Sequence, residues 1–218
     1  MSLLRAFCDA DFAGAAAVFD AIWGWELEGA SQSERENLAL LYTAGALASA
    51  NWVQVAVEAV EKEGEQDEEH VKALLCAQIN GRGKPSHDQA LYARLALFYR
   101  EALEKTAVGK EILDFYEKLE AVNRDLLSDM RRQSLGWDAE LKLLITAPDA
   151  RGKGYARRLV EACFADAAAA GGSWCMLLTD THCAWQYYEK TGWQRAAQHL
   201  WRDGSGITGF AYRKRIAP

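Results

Sequence analysis

The apolar and polar positions of this chain follow two periods, one typical of strands and one typical of helices. Apolar residues that alternate or run continuously predict strands at residues 3–7, 51–61, 71–80, 139–146 and 173–180, and then a hairpin of two strands around the turn sequence DGSG at 203–206. Apolar residues three or four apart predict helices at residues 91–102, 112–130, 152–170 and 183–191.

Two further helices are predicted before these, one after the strand of residues 3–7 and one over residues 37–50, and polar residues mark where they begin. Asp9 or Asp11 is expected to cap the first helix. Ser33 and Glu36 have the S-x-x-E spacing of a capping box, which predicts the start of the second. No strand pattern lies between the two helices of residues 86–134, so these residues are expected to be a helical insertion. The strand–helix–strand–helix order of residues 139–192 then predicts a parallel pair of strands.

Composition and charge narrow the class of protein. With 218 residues, half of them apolar, the chain is long enough for one large domain. A formal net charge of -6 argues against general nucleic-acid binding, which needs a surplus of Lys and Arg. The sequence contains neither a signal-peptide pattern nor a run of apolar residues long enough to span a membrane. Its five cysteines are scattered without metal-ligand spacing, so a cytoplasmic location without a structural metal is expected.

Candidate chemistry appears after the strand of residues 139–146, where Arg151, Gly152, Lys153 and Gly154 precede a helix. Unpaired N–H groups and the helix dipole favour an anion at such a place, and glycines let it approach the backbone closely. The alternative is a tight turn with two solvated cations. The glycine spacing fits neither a dinucleotide-binding loop nor a Walker loop.

The residues do fit the pattern R/Q-x-x-G-x-G/A, as Arg151, Gly154 and Ala156. After one more helix and strand, the segment AWQYYEKTGW of residues 184–193 resembles A-x-x-x-Y-E-K-x-G-F. Together the two motifs resemble the GNAT N-acetyltransferase superfamily. Residues 78–83 also fit the first pattern, but Pro85 stands where a helix would have to continue, so these residues are interpreted as a loop.

The resemblance implies the fold. The expected architecture is α/β (α+β), with a mixed, mostly antiparallel central sheet, a parallel pair of strands at the acetyl-CoA cleft, and helices on both faces. Residues 1–218 would form a single domain, in which residues 86–134 are a helical insertion before the fourth strand. Residues 139–193 would be its acetyl-CoA-binding core.

The resemblance also implies site residues. The loop amides would hold the coenzyme A pyrophosphate and the preceding strand its pantetheine arm, which assigns cofactor binding to Leu144, Ile145, Thr146, Arg151, Gly152, Lys153, Gly154, Tyr155 and Ala156. Tyr188 matches the tyrosine that protonates the departing thiolate; its alternative role is that of a core tyrosine, as expected for Tyr187. Thr181 stands where the family often has Asn.

A reacting amine must also lose a proton. Glu140 is the candidate base. It lies at the head of the strand of residues 139–146, 11 residues before Arg151, and histone-type members of the family place a base glutamate at that spacing. The alternative is a strand-edge carboxylate paired with Lys142, two residues further on. Asp138 and Asp180 are rival bases, and His182 is a candidate for substrate contact. A covalent relay through Cys183 runs against the direct transfer that the resemblance implies.

The expected function is therefore an acetyl-CoA-dependent N-acetyltransferase, which transfers an acetyl group to a primary amine of a small molecule or a protein. The expected partners are acetyl-CoA as cosubstrate and this amine, with no nucleic acid, membrane or metal; a homodimer remains open. The alternative is a non-catalytic GNAT-like module that binds acyl-CoA as a sensor or interaction module.

Overall fold

The computed structural model of the chain describes residues 2–24, 29–60 and 68–216. In chain order these residues form β1 (Ser2–Ala6), α1 (Phe12–Trp23), α2 (Gln32–Ala48), β2 (Trp52–Val60), β3 (Glu68–Ile79), α3 (Gln89–Leu103), α4 (Ala107–Arg132), β4 (Ala139–Thr146), α5 (Tyr155–Ala169), β5 (Trp174–Asp180), α6 (Trp185–Lys190), β6 (Gln194–Leu200) and β7 (Thr208–Arg215). Short 3-10 turns at Asp9–Asp11 and Pro148–Ala150 lead towards α1 and α5.

The described strands form one seven-stranded sheet in the order β1-β2-β3-β4-β5-β7-β6. Strands β1, β2 and β3 pair antiparallel, as do β5, β7 and β6. β4 and β5 are parallel, with Ala139–Leu141 opposite Cys175–Leu177. Helices cover both faces of the sheet, so the predicted fold class and the predicted parallel pair are confirmed.

By its contacts the chain divides into two compact units, each with its own core. The first unit comprises the described residues of Met1–Gln78, Gly83–Leu113 and Lys142–Cys163. In this unit α2 packs on α1 and on α3. One of its apolar clusters consists of buried residues from α2, α3 and the start of α4, namely Leu41, Leu103, Ile112 and Leu113.

The second unit comprises the described residues of Ile79–Arg82, Asp114–Leu141 and Phe164–Pro218. Most of α4 lies in this unit. The apolar face of α4 packs on the sheet through a cluster of fully buried residues, namely Leu126, Met130, Met176 and Ala211. The two helices predicted as an insertion therefore divide between the units, with α3 in the first and most of α4 in the second.

Two helix starts differ from the sequence prediction. The capping box of α2 is formed by Ser31 and Glu34 rather than by Ser33 and Glu36, so the helix begins one residue before Ser33. The predicted helix at residues 152–170 begins only at Tyr155, because Gly152 and Gly154 have φ angles of 79° and 80° and cannot continue a right-handed helix. Within the described ranges, no helix has the length and apolar character needed to cross a membrane.

Candidate functional site

Strand β4 presents alternate side chains to two different environments. Ala139, Leu141, Leu143 and Ile145 are buried, whereas the intervening residues, Glu140, Lys142, Leu144 and Thr146, are half-buried. This is the alternation expected of a strand whose two faces differ in burial. Leu144 and Thr146 thus share the more open face with the candidate base Glu140. The side chain of Ile145 is in the core, so a contact between Ile145 and a ligand would have to be made by its backbone.

The loop after β4 forms an open turn into α5. After the 3-10 turn, Gly152 and Gly154 adopt the left-handed conformation, and nothing lies within 4 Å of where a Cβ would stand on either. The helical hydrogen bonds begin where the N–H of Arg158 donates to the carbonyl of Gly154 at 3.0 Å. The N–H groups of residues 155–157 therefore precede the bonded part of the helix, as an anion-binding helix start requires.

Charged side chains of other strands surround this loop in the first unit. The Lys153 ammonium lies 2.8 Å from Glu58 Oε1 of β2, and the Tyr155 hydroxyl donates to the same oxygen at 2.5 Å. These two hydrogen bonds hold the pKa of the Glu58 carboxyl below its usual value, and the one from Lys153 has the larger effect. Lys72 of β3 pairs with Asp149 at 2.6 Å. Arg151 is exposed and forms no ion pair with any described residue.

The second sequence match to the loop pattern lacks this geometry. Gly81 has a left-handed φ of 75°, but it is followed by an irregular segment and no helix starts before Gln89. Arg82 pairs with Asp166 at 2.7 Å, so its charge is already engaged. Residues 78–83 thus end β3 and lead into a loop, as interpreted from Pro85.

Tyr188 lies on the short helix α6 in the second unit, half-buried among aromatic rings. Its ring centroid is 5.5 Å from Tyr187, 5.8 Å from Trp193 and 5.9 Å from Tyr212. Burial raises the pKa of its hydroxyl well above the usual value, and Cys183 and Tyr187 act in the same direction. No described residue hydrogen-bonds to this hydroxyl. Tyr188 is therefore a protonated phenol whose proton is not engaged within the described residues.

Cys183, before α6, lies near Tyr188, and Asp180, at the end of β5, lies near Cys183. Burial raises the pKa of the Asp180 carboxyl, and a hydrogen bond from the His182 N–H at 2.8 Å offsets only part of this effect. Burial, and then the charge of Asp180, raise the pKa of the Cys183 thiol to about 12. A thiol with this pKa is almost entirely protonated at neutral pH and is a poor nucleophile.

The candidate bases differ in how they are engaged. Asp138 accepts hydrogen bonds from the N–H groups of Ser173 and Trp174 at 2.7 and 3.0 Å, so it holds the start of β5. Glu140 lies on the half-buried face of β4, in register with Met176 of β5. The side chain of His182 is exposed.

Sequence reasoning did not identify the group that holds α6 against the sheet. Glu189, next to Tyr188, pairs with Arg195 of β6 and accepts a hydrogen bond from the Tyr212 hydroxyl at 3.0 Å. The Arg195 guanidinium lies 4.4 Å from the ring centroid of Phe210, a cation–π contact. These residues come from three elements, and no local spacing relates them. The described residues contain no group of three or more His, Cys, Asp or Glu arranged to hold a metal ion.

A family model matches the part of the chain that contains these candidate site residues. Residues 122–195 match the model of the acetyltransferase (GNAT) domain family, a range that contains every site residue inferred from the sequence. The chain matches no curated protein sequence.

The fold is similar to those of several solved structures. A mosquito arylalkylamine N-acetyltransferase like 5b is 15% identical with a TM-score of 0.54, covering 99% of this chain and 100% of that one. An aminoglycoside 6′-N-acetyltransferase complexed with coenzyme A is 13% identical with a TM-score of 0.53, covering 99% and 98%. A protein assigned to the GNAT family from Desulfovibrio desulfuricans is 14% identical with a TM-score of 0.52, covering 100% of both chains.

Proposed function

Since residues 122–195 match the model of the acetyltransferase (GNAT) domain family and the fold is similar to those of solved acetyltransferases, we propose that the protein is an acetyl-CoA-dependent N-acetyltransferase. It transfers the acetyl group directly to a primary amine of a small molecule or a protein. The cosubstrate is acetyl-CoA, and the chemistry assigned to the protein's own groups needs no metal.

The observation that carries this proposal is the loop between β4 and α5. Two left-handed glycines expose the backbone directly before a helix start, and nothing stands within 4 Å of where their Cβ atoms would be. Such a start binds a phosphate or pyrophosphate through N–H groups and the helix dipole. The backbone of residues 151–156 would hold the pyrophosphate, and that of Leu144, Ile145 and Thr146 would hold the pantetheine arm.

The reaction needs two proton transfers. The amine nitrogen attacks the thioester carbonyl, a C–N bond forms, and the C–S bond breaks as the tetrahedral intermediate collapses. Glu140 takes the proton that the amine gives up, directly or through water, and Tyr188 gives a proton to the departing thiolate. The products are an amide and the free thiol of coenzyme A.

The surroundings of Tyr188 and Cys183 support these roles. The raised pKa of Tyr188 keeps its hydroxyl protonated at neutral pH, so that it is a hydrogen-bond donor for the departing thiolate. The thiol of Cys183, with a pKa of about 12, is a poor candidate for a covalent acetyl carrier. This property of Cys183 favours direct transfer over an acyl-enzyme.

The proposal is tested by coenzyme A titration and by release of free thiol from acetyl-CoA with a panel of primary amines. Amine-dependent release is expected. Coenzyme A binding without such release would support the alternative, an acyl-CoA-binding module without turnover. The absence of coenzyme A binding would overturn both. In the active enzyme, Glu140→Gln is expected to lower kcat, because an amide cannot accept the proton that the amine gives up.

Tyr188 offers a matched comparison with its neighbour. Tyr188→Phe is expected to lower kcat by about 100-fold, the lower end of the effect of a positioned proton donor, while the Kd for coenzyme A changes by less than about three-fold. Tyr187→Phe removes the hydroxyl next to it and is expected to leave kcat nearly unchanged. Steady-state kinetics and calorimetry of both variants test this, and equal kcat values would remove Tyr188 from the mechanism.

A further inference from the structure

The loop that precedes α5 is tied to the sheet at both of its ends. Before the glycines, Asp149 pairs with Lys72 of β3 at 2.6 Å. Further along the loop, Lys153 and Tyr155, which flank Gly154, both donate to one oxygen of Glu58 on β2, at 2.8 and 2.5 Å. These partners stand on strands that the sheet holds in register. In the antiparallel ladder, the backbone of Glu58 lies opposite Ser2 of β1 and His70 of β3.

The contacts to Glu58 bracket one flexible residue. Lys153 and Tyr155 are the two neighbours of Gly154, whose φ of 80° is a conformation that glycine adopts without strain but also leaves easily. Fixing both neighbours on one carboxylate restricts Gly154 to the conformation seen here. A loop held in its binding conformation loses less conformational entropy when a ligand arrives.

The two cations of the loop therefore differ in availability. The Lys153 ammonium is neutralised by Glu58, whose side chain is only 26% exposed. Arg151 lies between the two ties, exposed and without an ion pair to any described residue. An incoming phosphate would meet the free guanidinium of Arg151, whereas Lys153 would have to leave Glu58 before it binds the ligand.

We propose that Glu58 is a positioning residue, which holds the loop of residues 151–155 in its anion-binding conformation through Lys153 and Tyr155. Lys153 acts here as a latch of the loop, and Arg151 is the side-chain cation that meets the phosphates. This inference rests on the proposed function for the identity of the anion, the pyrophosphate of coenzyme A.

Calorimetric titration of the full chain with coenzyme A, at low and at high ionic strength, separates the two roles. A cation that touches the ligand's phosphates makes affinity depend on salt, whereas one already neutralised by a carboxylate contributes little to this dependence. Arg151→Met is therefore expected to flatten the salt dependence. Lys153→Met is expected to weaken binding by about three- to ten-fold, the cost of ordering one or two side chains, with the wild-type salt dependence.

Glu58→Asp distinguishes the effect of the negative charge from the effect of the hydrogen bonds. The shorter side chain keeps the carboxylate but moves it away from Lys153 and Tyr155. It is expected to weaken coenzyme A binding by the same factor of about three to ten, as is Tyr155→Phe, which changes no charge. The double variant E58D/K153M should bind no more weakly than K153M, since both changes open the same latch.

Amide hydrogen exchange of the ligand-free protein tests the latch without any ligand. Residues 151–156 are expected to exchange faster in Glu58→Asp and Lys153→Met than in the wild type, and at an unchanged rate in Arg151→Met. Unchanged exchange in both latch variants, unaltered or tighter binding by Glu58→Asp, or a flattened salt dependence in Lys153→Met would each overturn the latch. If the wild type binds no coenzyme A but the exchange result holds, the proposed function fails and the latch stands.

Discussion

Arg5 and Asp11 form a charged pair that is largely shielded from water. The guanidinium donates to both oxygens of Asp11, at 2.7 and 2.8 Å, and the Asp11 side chain is only 6% exposed. Burial alone would raise the pKa of Asp11, but hydrogen bonds from Arg5 and from the N–H of Cys8 outweigh it and hold the pKa below its usual value. Glu69 gives Arg5 a second, more exposed carboxylate partner at 2.8 Å.

The Arg5–Asp11 pair predicts a pH-dependent stability. A carboxyl whose folded pKa is lowered stabilises the fold at pH values above its unfolded pKa, and this contribution is lost as the pH falls through the folded pKa. Asp11→Asn is therefore expected to lower the free energy of unfolding by about 2 kcal/mol at neutral pH, where it leaves Arg5 without its buried partner. The difference from the wild type should shrink in strong acid.

Urea denaturation at neutral and at strongly acidic pH measures this difference, with Glu69→Gln as the control. Because Glu69 is 42% exposed, its loss is expected to matter much less. A destabilisation by Asp11→Asn of the same size at both pH values would show that the charge of Asp11 is not the cause.

Among single residues, those that belong to a local motif could be predicted from the sequence, whereas those whose partners are distant in the chain could not. The loop of residues 151–156 and Tyr188 could be chosen as candidate site residues because each belongs to a short motif with fixed spacing. Glu58 and Lys72 were not, since they stand 95 and 77 residues from the loop residues they hold. Asp9 or Asp11 was expected to cap the first helix; Asp11 does stand at the N-cap of α1, but its side chain makes no capping hydrogen bond to that helix and accepts from Arg5 of β1 instead.

At the scale of elements, the start of α2 shows how two equivalent patterns compete. Ser31 and Ser33 are each followed three residues later by a glutamate. In the structure Ser31 Oγ accepts from the Glu34 N–H at 3.3 Å, and Glu34 accepts from the Ser31 N–H at 2.8 Å. Glu34 is also bonded to the Thr106 hydroxyl at 2.5 Å, just before α4. This contact from a distant segment favours the earlier box, and the sequence alone did not contain it.

The two serines make a matched pair of variants. Ser31→Ala is expected to lower the free energy of unfolding by about 1 kcal/mol, the usual effect of losing an N-cap side chain. Ser33→Ala, inside the first turn, is expected to have an effect near zero or slightly stabilising, because alanine is the better helix former. Thermal and urea denaturation of both variants measure this, and a larger loss for Ser33→Ala would place the cap where the sequence first suggested it.

At the scale of the whole molecule, the order of strands was predictable only in part. The parallel β4–β5 pair follows from the helix between them, because such connections join parallel neighbours. The hairpin of β6 and β7 was also predicted, but its orientation, with β7 rather than β6 next to β5, was not. That choice depends on contacts between distant segments, for which no local pattern exists. The division of α3 and α4 between two units has the same origin.

Each unit has a core of its own, so a cavity in one core is expected to lower the local stability mainly of that unit. Met130 of α4 is fully buried against Met176 and Ala211, and Leu103 of α3 is fully buried with Leu41. Truncation of either to Ala leaves a cavity and is expected to cost about 2–5 kcal/mol. Proteins open in cooperative parts, and a cavity lowers the opening free energy of the part that contains it.

Amide hydrogen exchange measures the opening free energy of each part of the chain residue by residue. Met130→Ala is expected to reduce protection chiefly in β5 and β7, whereas Leu103→Ala should reduce it chiefly in α2 and α3. The two variants are each other's control, since they remove side chains of similar size from equally buried positions. Equal loss of protection throughout the chain for both variants would mean that the molecule opens only as a whole, and that its two cores are thermodynamically one.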